Sequence, residues 1–350
     1  MNPRERVRLA LTCRRPDRIP KALGFFAVSR PETEPVPTED HFQIDVRFAR
    51  FDPLPEQDDF RRYLADLPED VHLGDMDQLR TYHEWGYHPE SEPDDRPRSR
   101  ERIEATLERI MPNLTHPSRS LNLPAQVRAW HDAGWAVAGA PPHLGGKLFE
   151  AAYRLRGFQR FLLDLATSEP WANYLLDQLT ELLVHNVLLL AHAGVDVLLL
   201  DDDVAMPTGL VIGPQMWRRF LKPRFARAIC AAREVSPELI VFYHSDGDFT
   251  GLVPDLIDAG VNVINPVQPD CMDAAAIKRA FGDRLALWGT VGTANLWVRG
   301  TPDQIRREVK HRVETLGPEG LLLSPAYDLD YVPFANIAAF CEAADEYGRV

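Results

Sequence analysis

The 350-residue sequence predicts a (β/α)8 TIM barrel, an α/β fold with an acidic, proline-rich insertion near its N-terminus. Three observations carry that expectation. Eight short β-rich runs can be read along the chain, most of them separated by helical patterns. The runs are apolar on consecutive positions, as strands buried on both faces of a parallel sheet should be. No GxGxxG follows the first run, which disfavours an open doubly wound sheet.

The eight runs are 19–26, 71–74, 135–140, 195–200, 239–243, 261–264, 285–288 and 320–323. From residue 135 onward strand and helix alternate without a gap. A long helix is expected over 169–192, where Leu175, Leu176, Leu179, Leu182 and Leu183 recur at helical spacing. A second covers 213–235, opening at Pro214. A third starts at Thr301-Pro302, with the hydroxyl as N-cap and proline in the first turn. The last runs from Pro333 to Tyr347.

Charge divides the chain unevenly. The net charge is -13, and residues 30–100 hold 19 Asp and Glu against 9 Arg, so the remainder is close to neutral. Nine of the 29 prolines fall in the same stretch. This reads as an insertion, a candidate lid, within one domain spanning 1–350; recurring aromatic residues argue against a disordered tail. No basic stripe exists for a phosphate backbone or an anionic membrane surface. No apolar run reaches the ~18–20 residues of a membrane span. The N-terminus reads as an amphipathic helix and not a signal peptide, and the four scattered cysteines fit a reducing cytoplasm, the expected location.

Chemistry in a barrel gathers where strands end. The fourth predicted strand ends in Asp201-Asp202-Asp203, the fifth in His244-Ser245-Asp246, the sixth in Asn265-Pro266-Val267-Gln268, and the eighth in Ser324-Pro325-Ala326-Tyr327. His244 and Asp246 stand two residues apart, so on a strand they share a face and can chelate one cation or share a proton. An imidazole with oxygen donors suits zinc or a harder divalent ion. Two alternatives stay open: a hydrogen-bonded pair that orders a turn, and acid–base chemistry without metal. Three adjacent aspartates cannot all be buried as like charges. The candidate catalytic groups are thus His244, Asp246, Asp202 and Tyr327, with Tyr327 a third metal donor beside His244 and Asp246. Candidate substrate contacts are Asp201, Asp203, Gln268, Asn265, His143 and Trp288. No GxSxG, Walker sequence or HExxH occurs, and Gly145-Gly146-Lys147 lacks the rest of a phosphate loop.

A wider pattern runs through these residues. It comprises Arg4-Glu5-Arg6-Val7 with Pro16-Asp17-Arg18-Ile19-Pro20, then Gly139-Ala140-Pro141 and Ala193-Gly194-Val195-Asp196. Ile212-Gly213-Pro214-Gln215-Met216-Trp217 with Lys222-Pro223, Asn265-Pro266-Val267-Gln268, Trp288-Gly289 and Ser324-Pro325 through Asn336 complete it. In this order the set resembles the uroporphyrinogen decarboxylase-like superfamily, which includes corrinoid- and zinc-dependent methyltransferases.

The resemblance implies the TIM barrel and an enzyme, and the chain departs from both known chemistries. Where decarboxylases carry Arg-Gln-Ala-Gly-Arg to hold carboxylates, this sequence reads Phe25-Phe26-Ala27-Val28-Ser29-Arg30. Lys147 stands near the position of their tyrosine, Tyr327 near that of their late histidine, and Asp75 for their essential aspartate. The zinc methyltransferases carry His-x-Cys and a later Cys; here His244, Asp246 and Tyr327 occupy those places. The resemblance therefore implies a metal-assisted methyltransferase on a small methylated or methyl-accepting compound, with a divalent metal such as zinc. A corrinoid would come only through a separate partner protein. A carboxy-lyase on a small acid and a non-catalytic small-molecule-binding barrel are the alternatives, and a homodimer is the expected assembly if exposed aromatics of the insertion pair.

Overall fold

The computed structural model describes residues 1–54, 60–67, 79, 83, 99–142 and 144–350. Seven parallel strands run in sequential order: β1 (Val46–Ala49), β2 (Ala136–Gly139), β3 (Val197–Asp201), β6 (Ile240–His244), β7 (Val263–Asn265), β8 (Ala286–Val291) and β9 (Leu321–Pro325). The antiparallel hairpin β4 (Ala205–Met206) and β5 (Gly209–Leu210) follows β3. The expected TIM barrel is therefore found.

The ring closes through a single stave. Lys21 bridges Leu323 in parallel, the Ala22 N–H donates to the Leu323 carbonyl at 2.9 Å, and the Leu323 N–H to the Pro20 carbonyl at 2.9 Å. On the other side the Asp45 N–H donates to the Lys21 carbonyl at 3.1 Å. The predicted strand 19–26 is thus reduced to this short bridge. Pro20 has no N–H to extend a ladder.

The second stave differs from expectation. Predicted strand 71–74 lies outside the described residues, and β1 pairs directly with β2 from Val46↔Ala136 to Ala49↔Gly139. This strand falls inside the stretch read as an insertion, so part of that stretch belongs to the barrel wall. Its Val-Arg-Phe-Ala sequence hides it, because Arg47 interrupts the apolar run. Buried, that guanidinium lies 3.8 Å from the Trp135 ring centroid and reaches Asp40 at 2.5 Å. The helix expected over 213–235 divides at Leu221 into Pro214–Phe220 and Lys222–Val235, with Pro223 in the first turn of the second. Thr301 and Gln304 form the capping box that opens Pro302–Leu316.

The strands are buried on both faces. Phe242 and Trp288 meet edge to face inside the ring with centroids 5.2 Å apart, and the Trp288 Nε1–H donates to the Gly24 carbonyl at 3.1 Å. Arg4 and Arg8 both reach buried Asp196, and Arg6 reaches Asp17 and Asp45. The charged N-terminal pattern is therefore a clamp on the barrel base. No described helix is long and apolar enough to cross a membrane.

Asp45 is fully buried and holds the closing stave. It accepts from Arg6, from both terminal nitrogens of Arg18, and from the Lys21 main-chain N–H at 2.9 Å. Asp45→Ala leaves those donors without their acceptor and is expected to cost about 3–5 kcal/mol. Urea unfolding followed by circular dichroism checks this; a loss below about 1 kcal/mol would contradict it.

Candidate active site at the barrel mouth

Register builds the site. Asp201 on β3 pairs with His244 on β6, and His244 with Asn265 on β7, so three polar side chains stand abreast at the C-terminal rim. Asn265 donates from Nδ2 to the Trp288 carbonyl at 2.7 Å, which turns its Oδ1 toward His244. The His244 Nδ1–H donates to that oxygen at 2.6 Å. Nε2 of the neutral ring is then a lone pair facing the mouth. The Phe25 ring covers the imidazole with centroids 4.4 Å apart.

Two carboxylates converge on Nε2. Asp203 Oδ1 lies 3.7 Å away and Asp246 Oδ1 3.9 Å. These three residues offer ligand atoms that all lie within 4.8 Å of one another. Asp203 Oδ1 also accepts the Asp246 main-chain N–H at 2.7 Å. Gln268 donates to Asp246 Oδ1 at 2.9 Å and accepts from the Gly247 N–H at 2.9 Å. Gly247 has φ +79°, and a Cβ there would come within 2.7 Å of the β4 backbone at Ala205 and Met206. The turn after Asp246 thus needs glycine to pack on the hairpin.

Burial alone would lower the His244 pKa, but Asp203, Asp246, the bond to Asn265 and Asp201 together raise it above its ordinary value. Burial pushes the Asp246 carboxyl up, His244 opposes this, and Asp203 and Asp328 add to it.

The other predicted residues part company here. Tyr327 lines the same cavity, but its hydroxyl donates to Asp270 Oδ2 at 2.5 Å, so Asp203 takes the third place beside His244 and Asp246 that was expected of the phenol. Asp202 is fully buried, and its oxygens accept from the Phe149 and Glu150 N–H groups at 2.7 and 3.0 Å. It caps the helix Phe149–Arg156 and does not line the cavity. Asp201 pairs with Lys147 at 2.5 Å. Trp288 is fully buried packing whose carbonyl holds Asn265. Asn265 and Gln268 line the cavity as expected. His143 and Asp75 lie outside the described residues.

Two residues were not placed at the site from sequence: Lys147 was read only in an incomplete phosphate loop and near the position of the decarboxylases' tyrosine, and Glu150 not at all. Lys147 and Glu150 are both buried behind the aspartate run. Glu150 Oε2 accepts the Asp203 N–H at 3.0 Å, and Lys147 also donates to the Pro141 carbonyl at 3.1 Å. The signal was the Gly145-Gly146 pair: both have positive φ, and a Cβ on Gly146 would fall 2.3 Å from Glu150 Cβ. Burial lowers the Lys147 pKa, partly offset by Asp201.

An imidazole and two carboxylates thus gather at the C-terminal rim of the barrel. The family model described as uroporphyrinogen decarboxylase (URO-D) matches residues 136–347, and the chain belongs to that family. It is similar to the methylcobamide:CoM methyltransferase MtaA of Methanosarcina barkeri, 28% identical over 172 residues, covering 49% of this chain and 48% of the relative. The same enzyme from M. barkeri strain Fusaro / DSM 804 is 27% identical over 158 residues, 45% and 44% of the two chains. The chain thus aligns with about half the length of these curated relatives. A solved methyltransferase from Methanosarcina mazei shares the fold across 99% of both chains, with a TM-score of 0.65 at 19% identity.

Burial drives the Glu150 pKa up to about 7, with Asp203 adding to the effect. Between an ordinary glutamate value of about 4.3 and that raised value, the folded chain holds a proton that the unfolded chain has released. Stability from this group is therefore full below about pH 4.3 and falls as pH rises toward 7. Glu150→Gln is expected to flatten that decline in urea titrations across the interval; a slope equal to the parent's would contradict the assignment.

Proposed function

We propose that the mouth cavity is the active site of a metal-assisted methyltransferase acting on a small methylated or methyl-accepting compound. The observation that carries this reading is the convergence of Asp203 and Asp246 on a His244 Nε2 whose tautomer Asn265 sets. The family membership and the methyltransferase relatives support it.

The donor set fits a divalent cation. Separations of 3.7 and 3.9 Å from Nε2 are close to the roughly 3.3 Å between two ligands on a tetrahedral zinc ion. One imidazole and two carboxylates form a harder set than thiolates do, open to zinc but equally to manganese or magnesium. Cys271 does not supply a soft donor here; its thiol is directed at Gln268 oxygens at 3.7 and 3.8 Å. A cation bound there would supply Lewis-acid polarisation of a substrate heteroatom.

The chain's own residues do the positioning. Asn265 keeps the proton on Nδ1 and presents Nε2. Gln268 and the Asp246 N–H fix the rotation of the two carboxylates. Glu150 anchors the Asp203 backbone from behind, and the Phe25 ring shuts water from one face of the imidazole. The methyl group would be exchanged with a methylcobamide, the reactant that the relatives' name gives for those enzymes, and here that methylcobamide would be held by a separate protein.

No observation gives the carboxy-lyase reading comparable weight. Arg30 is the one arginine or lysine among the described residues lining the cavity, and its terminal nitrogens are directed at the Leu329 and Val332 carbonyls.

Isothermal titration with zinc or manganese, paired with elemental analysis, tests the reading. His244→Ala is expected to abolish uptake, and Asn265→Ala to weaken it about 10–100-fold by freeing the ring. Chelator treatment should stop methylcobalamin demethylation with a thiol acceptor. Full metal content in His244→Ala, or an undiminished rate in stripped protein, would overturn the assignment.

A further inference from the structure

Resting on that reading of the cavity as the active site, we propose that Thr290 and Ser324 form a second anchor for the methyl-accepting substrate. Their hydroxyls would hold an uncharged oxygen on it, a hydroxyl or carbonyl, while its heteroatom faces His244.

Register brings the two hydroxyls together. Thr290 on β8 pairs with Ser324 on β9, two residues beyond the pair Trp288 and Leu322. Side chains two apart on a strand share a face, which places Ser324 on the face that Trp288 presents to the ring interior, one layer nearer the mouth. Pro325 follows Ser324, and the Pro266 carbonyl accepts the Thr290 N–H at 3.0 Å; both prolines line the mouth cavity. The hydroxyl pair thus lies directly beneath that wall.

Both residues are fully buried, yet neither Thr290 Oγ1 nor Ser324 Oγ has a hydrogen-bond partner among the described residues. Burying a hydroxyl unpaired is unfavourable, and here the fold gains no bond from either one. The backbone adds to this. Thr290 is β-branched and has φ +69°, a conformation that such side chains rarely adopt and that gathers at functional sites. A hydroxyl both donates and accepts and carries no charge, so the complementary group is a neutral oxygen. A carboxylate or an ammonium would be buried there with no opposite charge from the pair. The spacing suits a short substrate. Thr290 stands two strands from His244, roughly 10 Å at ordinary strand spacing. A thiol, two carbons and a hydroxyl, with a polar contact at each end, span a gap of that order.

The test compares 2-mercaptoethanol with 1-propanethiol, which replaces the hydroxyl by a methyl at the same reach. Methylcobalamin demethylation by the full chain supplied with zinc gives kcat and KM for each thiol. NMR titration gives binding, and metal uptake is measured on the same samples. Mercaptoethanol is expected to show about tenfold higher kcat/KM and about tenfold tighter binding, the difference lying in KM. The double variant Thr290→Val with Ser324→Ala should abolish the preference while metal uptake persists. Its urea stability should not fall, because it deletes hydroxyls that hold no structural bond. Thr290→Ser, which keeps the hydroxyl, should retain the preference. Equal binding of the two thiols, a preference that survives the double variant, or a double variant that unfolds more easily would overturn the inference; the last would mark the hydroxyls as structural. Any of these with metal uptake and turnover intact leaves the methyltransferase assignment standing. A binding preference in protein that takes up no metal and demethylates nothing supports the anchor and overturns only that assignment.

Discussion

The hydrogen bond from His244 Nδ1 to Asn265 Oδ1 is the interaction on which the site depends. Asn265 cannot turn over without giving up its 2.7 Å bond to the Trp288 carbonyl, and Trp288 is itself locked inside the barrel against Phe242 and Gly24. The core therefore dictates the imidazole's tautomer through a single amide. Because the amide sits on the strand next to His244, the barrel's register delivers it with no help from a loop. Everything at the mouth, the approach of Asp203 and Asp246 included, assumes an Nε2 that faces outward as an acceptor.

The aspartate run shows how one segment serves three ends without burying three like charges together. Asp201 is compensated by Lys147, Asp202 by two helix N-terminal amides, and Asp203 by the Asp246 N–H and the mouth itself. Burial and repulsion from Glu150 push the Asp202 carboxyl well above the usual carboxylate range, and the Glu150 and Phe149 N–H groups oppose them. The resulting stack ties the helix Phe149–Arg156 to the end of β3 and gives Asp203 a stiff support.

Much of this was legible in sequence, and the misses have physical causes. Strands β3, β6, β7, β8 and β9 announced themselves because burial on both faces leaves consecutive apolar residues. Strand β1 did not, since a buried Arg47 with its own aromatic and acidic partners breaks the run. The i, i+2 rule that placed His244 beside Asp246 would also have sorted Asp201 and Asp203 from Asp202, which points to the opposite face and into a helix terminus. Tyr327 could not be placed this way: its partner Asp270 is 57 residues distant, and only the closed barrel brings the two together. Glu150 and Lys147 were hidden for a similar reason, arriving from a glycine turn whose own sequence resembled an incomplete phosphate loop.

Long-range ¹⁵N–¹H correlation NMR of the His244 ring tests the central claim most directly. At a pH above the raised pKa of the ring, the account predicts a neutral imidazole protonated at Nδ1, with the Nε2 resonance of an unprotonated nitrogen that shifts alone when zinc is added. A ring protonated at Nε2, or one whose two nitrogens average, would contradict it.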